Sequence, residues 1–248
     1  MVTYAIEGGP YFSKELALQA AIRTKSTVLL WALRRRIGID FSLGEPDGFI
    51  LEQIDTFSLQ IRVDVFPRKE TPAGRFAKSF NDNFLIQELK PKQLLAIEIY
   101  TASYFDSSAR SQFVTRISAV EALMVQEESS QSVRTVIENL QEAVRCSNLS
   151  NVDEEQLVNA LSRERRESKT RTGAKLAQSF LKRRKYHGMS AYKTFTTCYD
   201  IRSKIVHSGD HNLKPSEFEI LCKVCEDFVG DLLVASIKPA YYSGGRLD

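Results

Sequence analysis

Beyond residue 90 the apolar residues of this chain recur at steps of three and four, and this period limits the fold more than any other feature. The strongest of these stripes lies near the C-terminal end and consists of Phe218, Leu221, Cys225, Phe228 and Leu232. Such spacing places the apolar side chains on one face of an α-helix, which must bury that face against other elements. We therefore expect the chain to be mainly helical, with a last helix that ends near Ile237.

Further helices are expected in the same part of the chain. Pro91 suits the first turn of a helix that runs to about Tyr104. The core stripe of the next helix is Phe113, Ile117, Val120 and Met124. The helix after it has the stripe Val133, Ile137, Leu140 and Val144. A long basic helix, which Asp153 would cap, is expected to follow.

The first 67 residues carry a mixed pattern. A long helix is expected from about Ser13 to Arg36. Further on, apolar residues alternate with polar ones, as in a half-buried strand, at Leu59, Ile61, Val63 and Val65. The nearest segment that can pair with this strand is 49–54. These residues therefore predict a small α+β appendage at the N-terminal end.

The domain organisation follows from these patterns. Residues 68–85 are polar and lack periodicity, which is typical of a linker or loop. The predicted units are an N-terminal α+β appendage with its linker over 1–85, a helical domain over 86–238 and a loose tail over 239–248. The 248 residues, 43% of them apolar, are enough to bury a full core.

Charge is unevenly distributed along the chain. The net charge is only +3, but the segment 163–187 holds ten Lys or Arg residues against two Glu, a local charge of +8. This asymmetry favours a polyanionic partner, nucleic acid first, while a solvated helix face is the alternative. The candidate nucleic-acid-binding residues are Arg163, Arg165, Arg166, Lys182, Arg183, Arg184 and Lys185.

Several patterns that would indicate other functions do not occur in the sequence. No basic segment followed by an apolar stretch opens the chain, and the longest apolar run, Val28–Leu33, is too short to span a bilayer. We therefore expect a soluble cytoplasmic protein with no membrane partner. Cys222 and Cys225 form a CxxC on the core side of the last predicted helix, where buried cysteines are more common than zinc ligands. Without a His cluster or a phosphate-binding glycine loop, neither a metal nor a cofactor is predicted.

Arg202 occupies a position where an apolar residue is expected. The helical stripe around it is formed by Tyr192, Phe195, Tyr199 and Val206. Because an unpaired buried charge costs several kcal/mol, roughly, Arg202 needs a partner. Glu121, on the inward face of its own predicted helix, is the natural one. Such a pair either locks the register of two helices or aims the guanidinium at a phosphate.

His207 lies five residues after Arg202, about 7.5 Å farther along a helix and about 140° around it. Gly209 should end that helix. Ser203, one turn before His207, is placed to orient the imidazole by a hydrogen bond. Alternatively, His207 only contacts the last carbonyl groups of its helix. A fixed cation and a side chain that titrates near neutral pH therefore flank one helix end.

At this point the sequence resembles a known family. The segment 199–210 reads YDIRSKIVHSGD and is similar to the Arg-x4-His signature of HEPN domains, most of all in the ApeA-like branch. The similarity extends over roughly residues 88–237 and includes RISAVEALM at 116–124. The resemblance implies an antiparallel helical bundle of HEPN type.

The resemblance also implies a function, a metal-independent endoribonuclease that acts as a homodimer with two copies of the signature across one cleft. His207 would move a proton and Arg202 would hold the phosphate, with Glu121 and Ser203 in support. Lys204 and the basic segment would follow the RNA backbone. Members of this branch resemble toxins and phage-defence effectors, so a role in prokaryotic defence is implied as well.

One residue departs from the family pattern. Many active members carry Asn, Asp or His directly after the Arg, where this chain has Ser203. A serine hydroxyl can still form a hydrogen bond, but its presence weakens the case for catalysis. The alternative is a HEPN scaffold without catalysis, a binding or dimerisation module whose N-terminal appendage recruits a protein or a nucleic acid.

Overall fold

The computed structural model describes residues 2–41, 49–53, 56–66, 73–83 and 89–237. Within these ranges the chain is mainly helical, with a small strand-containing N-terminal region, as predicted. No helix in these ranges is long and apolar enough to cross a membrane. The α-helices are α1 (Lys14–Arg35), α2 (Ala73–Asn83), α3 (Pro91–Ala102), α4 (Ala109–Leu123), α5 (Gln131–Arg145), α6 (Asn151–Glu164), α7 (Lys169–Phe180), α8 (Ala191–Ser208) and α9 (Pro215–Ile237).

The N-terminal sheet is built around one long central strand. Its members are β1 (Val2–Tyr11), β2 (Gly38–Phe41), β3 (Ile50–Gln53) and β4 (Phe57–Phe66). All pairings are antiparallel: β1 lies along one edge of β4, and β2 and β3 pair with opposite ends of the other edge. The predicted strand and its pairing with the segment 49–54 are thus confirmed. Leu59, Ile61, Val63 and Val65 all point into the core.

Helix α1 connects the sheet to the helical part of the protein. The Ser13 hydroxyl caps its first turn, and Arg36 ends it in the left-handed conformation, with φ 56°. Residues 26–33 are buried on every side because α1 packs on β4 as well as on α3 and α9. The sheet and the later helices therefore share one continuous hydrophobic core.

Arg36 ties the end of α1 to α9. Its Nη2 lies 2.7 Å from the Asp231 carboxylate and donates to the Asp227 carbonyl oxygen. A Cβ at Gly230 would overlap the guanidinium, so the glycine makes room for this contact. The charge is buried, but it is paired and hydrogen-bonded, as a buried guanidinium must be.

The prediction of a linker over 68–85 is wrong for residues 73–83, which form α2. Phe76 of α2 is buried, with its ring 4.1 Å from that of Tyr4 and 4.8 Å from that of Trp31. Aromatic packing thus overrides the polar character of the surrounding residues. The rest of the predicted linker and the predicted tail 239–248 lie outside the described residues.

Helix α4 is central to the helical part and packs against α3, α8 and α9. Its predicted stripe is buried, with Phe113, Ile117 and Val120 fully inaccessible. Helix α7 packs along α8 at Gly173, where a Cβ would overlap the Phe195 ring. A short hairpin, β5 (Lys185–Tyr186) and β6 (Met189–Ser190), joins α7 to α8.

The long basic helix that was expected from Asp153 is two helices, α6 and α7. Ser150 and Ser168 cap them, each with its hydroxyl accepting a backbone N–H three residues later. Serine competes with the helix for such bonds and so favours helix starts. The break places the arginines of 163–166 on a different part of the molecule from the cations of 182–185.

Helices α5 and α6 form a hairpin that packs mainly on itself. Within this α5–α6 hairpin, Ile137 and Gln141 are the buried residues of α5, and α6 has none. The predicted stripe of α5 exists, but Val133 and Leu140 are exposed. The residues before α5 and after α6 are joined by a small antiparallel bridge between Glu128 and Arg166.

Candidate functional site

Helix α8 carries the two residues of the predicted signature. The Ser190 hydroxyl accepts the Lys193 N–H and starts the helix, and Gly209 ends it with φ 71°, as expected. Phe195, Cys198 and Ile201 face the core, while Tyr199 and Arg202 lie at the edge of this buried face. Arg202 is thus close to the core and still reachable from one side.

The predicted ion pair between α4 and α8 is present. Nη2 of Arg202 lies 3.1 Å from Oε2 of Glu121, and the two side chains are 21% and 17% exposed. The pair is not bidentate as expected, because the Tyr199 hydroxyl donates to the other oxygen, Oε1, at 3.2 Å. Tyr199 therefore completes the site, and its position three residues before Arg202 on the same face was the available signal.

The Glu121 cluster, which consists of Glu121, Tyr199 and Arg202, leaves part of the guanidinium unused. Nε and Nη1 of Arg202 form no hydrogen bond with any described residue, but Nε is itself buried, so Nη1 is the group left for a ligand. Burial, and then the Glu121 carboxylate, raise the pKa of Tyr199, so its hydroxyl stays protonated and remains a donor at neutral pH. The carboxylate is thus held by two donors while the arginine keeps unpaired N–H groups.

His207 is exposed in the last turn of α8. The expected hydrogen bond from Ser203 to the imidazole is not formed, so no described side chain orients the ring. Lys204, another predicted supporting residue, is paired with Asp200 at 2.8 Å and is less available to a phosphate than expected. Arg202 and His207 share the helix end, but they point to different sides of it.

The loop after α8 is held in place beside His207. The Asp210 carboxylate accepts the N–H groups of His211 and Asn212, and these bonds lower the pKa of Asp210. The buried ring of His211 stacks on Phe218 with 4.0 Å between ring centres. Arg110 of α4 donates to the Gly209 carbonyl at 3.2 Å and adds a cation near this helix end, one that sequence reasoning missed.

The seven predicted nucleic-acid-binding cations do not form one surface. Arg165 is paired with Glu138 at 2.7 Å, and Arg184 is paired with Asp231 in the interior contact that also holds Arg36. These two charges are paired with carboxylates and are therefore less available to a phosphate than expected. The remaining five form no ion pair with a described residue: Arg163, Arg166, Lys182, Arg183 and Lys185.

Of the two cysteines that were predicted to face the core, Cys225 lies inside it and Cys222 at its edge, while Cys146 is exposed. Cys225 is fully buried beside Cys198, and Cys222 is half-buried. Burial raises the pKa of Cys222 to about 11 and that of Cys225 well above its ordinary value, which keeps both as unreactive thiols. In the described part of the chain, no three His, Cys, Asp or Glu side chains are grouped as metal ligands.

Comparison with protein-family models, with curated proteins and with solved structures finds no match to this chain. The resemblance to HEPN domains therefore depends on the residues of the chain itself. The features that carry it are Arg202, His207 and the pairing of α8 with Glu121 on α4. Membership of that family, and the roles that it implies for these residues, stay predictions.

Replacing Glu121 with glutamine should lower the free energy of unfolding by about 1.5 to 3 kcal/mol, because a charged acceptor for two half-buried donors is lost. The urea midpoint at constant slope measures this change. Glu142→Gln, in an exposed pair with Arg145, should cost less than about 1 kcal/mol. Equal midpoints for the two variants would remove the Glu121 cluster as a stabilising element.

Proposed function

We propose that this protein is a metal-independent endoribonuclease of HEPN type that cleaves RNA as a homodimer. One observation carries the proposal: a guanidinium with unpaired N–H groups, anchored by Glu121, lies at the same helix end as an exposed imidazole. A fixed cation suits the phosphate, and an exposed imidazole can accept and donate a proton.

The reaction requires two contributions from the protein, proton transfer and stabilisation of charge. The 2′-hydroxyl of RNA attacks the neighbouring phosphorus, which requires removal of its proton and protonation of the departing 5′-oxygen. Negative charge grows on the phosphate oxygens during this step and is stabilised by donors held in place beforehand. His207 moves the proton and Arg202 meets the charge, so the product ends in a 2′,3′-cyclic phosphate.

A homodimer supplies what one subunit lacks. Arg202 and His207 of a single chain point to different sides of α8, so two copies across a cleft bring a second pair to the phosphate. With two imidazoles, one accepts the proton of the hydroxyl and the other protonates the leaving oxygen. The exposed side chain of Val206 on α8 supports a partner near the His207 end of this helix.

The biological role that we propose is that of a toxin or phage-defence effector, from the resemblance alone. The chemistry is the part to test first, because it depends on this chain's own residues. The N-terminal sheet is a candidate surface for a protein partner. Helix α1, which packs on the sheet and is tied to α9 by Arg36, would couple such a partner to the helical core.

The test compares two substrates in the presence of EDTA. Purified protein is incubated with a structured RNA and with the same RNA carrying 2′-O-methyl groups. We expect cleavage of the first alone, with 2′,3′-cyclic phosphate ends, because methylation removes the attacking oxygen. Cleavage of the methylated RNA, or activity that EDTA abolishes, would contradict the proposed mechanism.

A second candidate function is a HEPN scaffold without catalysis. The observation in its favour is the exposed apolar surface of the α5–α6 hairpin, since such surfaces are typical of protein interaction sites. Ser203 after Arg202, with no bond to His207, points the same way. Binding of RNA or protein without cutting, and without any effect of His207→Ala, would favour this scaffold over the nuclease.

A further inference from the structure

An open groove lies between the C-terminal end of α7 and the start of α8. Its volume is about 590 Å³, and its lining is Lys175, Gln178, Ser179, Lys182 and Tyr192. Lys175, Gln178 and Ser179 fall at steps of three and four, so they occupy one face of α7, and Lys182 lies in the turn that follows the helix. None of them belongs to the Glu121 cluster.

The side chains of this groove suit a nucleotide. Tyr192 is 41% exposed although it is a large aromatic residue, so its ring is available to a flat partner. Lys182 forms no ion pair with a described residue, and Lys175 shares Glu167 with Arg171, which leaves one net positive charge there. An exposed aromatic ring between lysines is the combination that proteins use to stack bases and track the phosphate chain.

The groove is in line with the predicted catalytic residues. Tyr192, Tyr199 and Ser203 fall on one face of α8 by helical spacing, and His207 follows one turn later. Tyr192 is therefore about 22 Å from His207 along the same side of the helix. A flexible strand is long enough to occupy both positions at once, whereas a single small ligand is not.

We propose that this groove is a subsite for single-stranded RNA, in which a base stacks on Tyr192 and Lys182 holds a neighbouring phosphate. The inference rests on the proposed function, since it gives the substrate of that site as an unpaired strand. Duplex RNA does not fit the role, because its bases are already stacked on each other and offer no free face.

The test measures binding, independently of cleavage. Fluorescence anisotropy is recorded with a labelled, single-stranded 2′-O-methyl RNA, which wild-type protein binds without cutting. Tyr192→Ala should raise the Kd by about 5- to 150-fold, the range of one lost stacking contact. Tyr192→Phe keeps the ring and should stay within about twofold. Lys182→Gln should weaken binding and reduce the slope of log K against log salt by about one.

Two matched variants control for general effects. Phe12→Ala removes another exposed aromatic ring far along the chain, and Lys14→Gln removes another exposed cation. Both should bind RNA like the wild type. Tyr192→Ala with wild-type affinity, or an equal loss against duplex RNA, would overturn the subsite. Tighter binding of adenosine monophosphate than of the strand would also overturn it, because the groove would then be a mononucleotide site.

The outcomes separate this inference from the nuclease proposal. If the wild type binds the strand through Tyr192 but never cuts unmodified RNA, the subsite stands and the catalytic proposal falls. If it cuts RNA and Tyr192→Ala binds normally, the catalytic proposal stands alone. If it binds no RNA, both fall.

Discussion

Replacing His207 with alanine is expected to lower the rate of RNA cleavage by about 10²- to 10⁴-fold, because proton transfer by a placed side chain contributes that much. Arg202→Ala should cost about 10²- to 10³-fold, as expected for one donor to a developing oxyanion. Single-turnover cleavage in EDTA measures both changes. For His207 the loss should appear without loss of stability, since its side chain is exposed and forms no hydrogen bond with a described residue.

Two variants control for this result. His187→Asn changes another exposed histidine, in the β5–β6 turn, and asparagine tolerates the positive φ of 48° at that position. Its cleavage rate should equal that of the wild type. Arg202→Ala also breaks the bond to Glu121, so its rate is interpreted beside that of Glu121→Gln. Wild-type activity in His207→Ala would remove the imidazole from the mechanism.

The second large effect concerns stability. Glu226→Ala should lower the free energy of unfolding by about 3 to 5 kcal/mol, because it leaves the Arg116 guanidinium buried without its carboxylate. Nη2 of Arg116 lies 3.6 Å from Oε2 of Glu226, and the two side chains are 3% and 6% exposed. The Tyr104 hydroxyl donates to the same carboxylate at 3.3 Å. Urea denaturation measures the loss through the midpoint.

A double replacement distinguishes the effect of the charges from the effect of the volume that the two side chains fill. Arg116→Met with Glu226→Leu removes both charges and keeps apolar bulk, so it should cost much less than Glu226→Ala alone. Glu219→Ala, on the exposed side of the same helix, should stay within about 0.5 kcal/mol of the wild type. If the double variant is as unstable as the single one, packing and not charge explains the loss.

The sequence predicts the helices best where an apolar stripe is accompanied by residues that typically begin or end a helix. The stripe of α9 and the glycine that ends α8 place both helices correctly, because their burial and caps agree. Helix α5 shows the limit of this reasoning. Its stripe is real, but periodicity says which face is apolar and not whether another element covers it, so Val133 and Leu140 remain exposed.

The N-terminal region was harder to predict. Strand β1 contains Gly8, Gly9 and Pro10, which interrupt any alternation of apolar and polar residues. The structure accommodates them in a register shift against β4 between Gly8 and Tyr11. Helix α2 carries Phe76 in a segment that is otherwise polar. Both elements form through contacts with α1 or β4 that no local pattern in the sequence reveals.

The ion pairs Arg202–Glu121 and Arg116–Glu226 differ in how well the sequence predicts them. The pair of Arg202 with Glu121 was predictable, because each charge interrupts an apolar stripe and each needs the other. Arg116 also lies on a stripe, beside Phe113 and Val120, but its partner Glu226 is at the edge of the α9 stripe and carries no such signal. The role of Tyr199 depends on the direction in which its hydroxyl group points, and helical spacing alone does not give that direction.

The α5–α6 hairpin has a consequence for how the protein can vary. The segments before and after it pair at the bridge from Glu128 to Arg166, so the α5–α6 hairpin is joined to the rest of the protein at one place. A segment attached in this way, with few side chains in the core, unfolds locally at a smaller free-energy cost than the rest of the protein unfolds. Evolution can therefore lengthen, shorten or exchange the α5–α6 hairpin without changing the contact between Glu121 and Arg202.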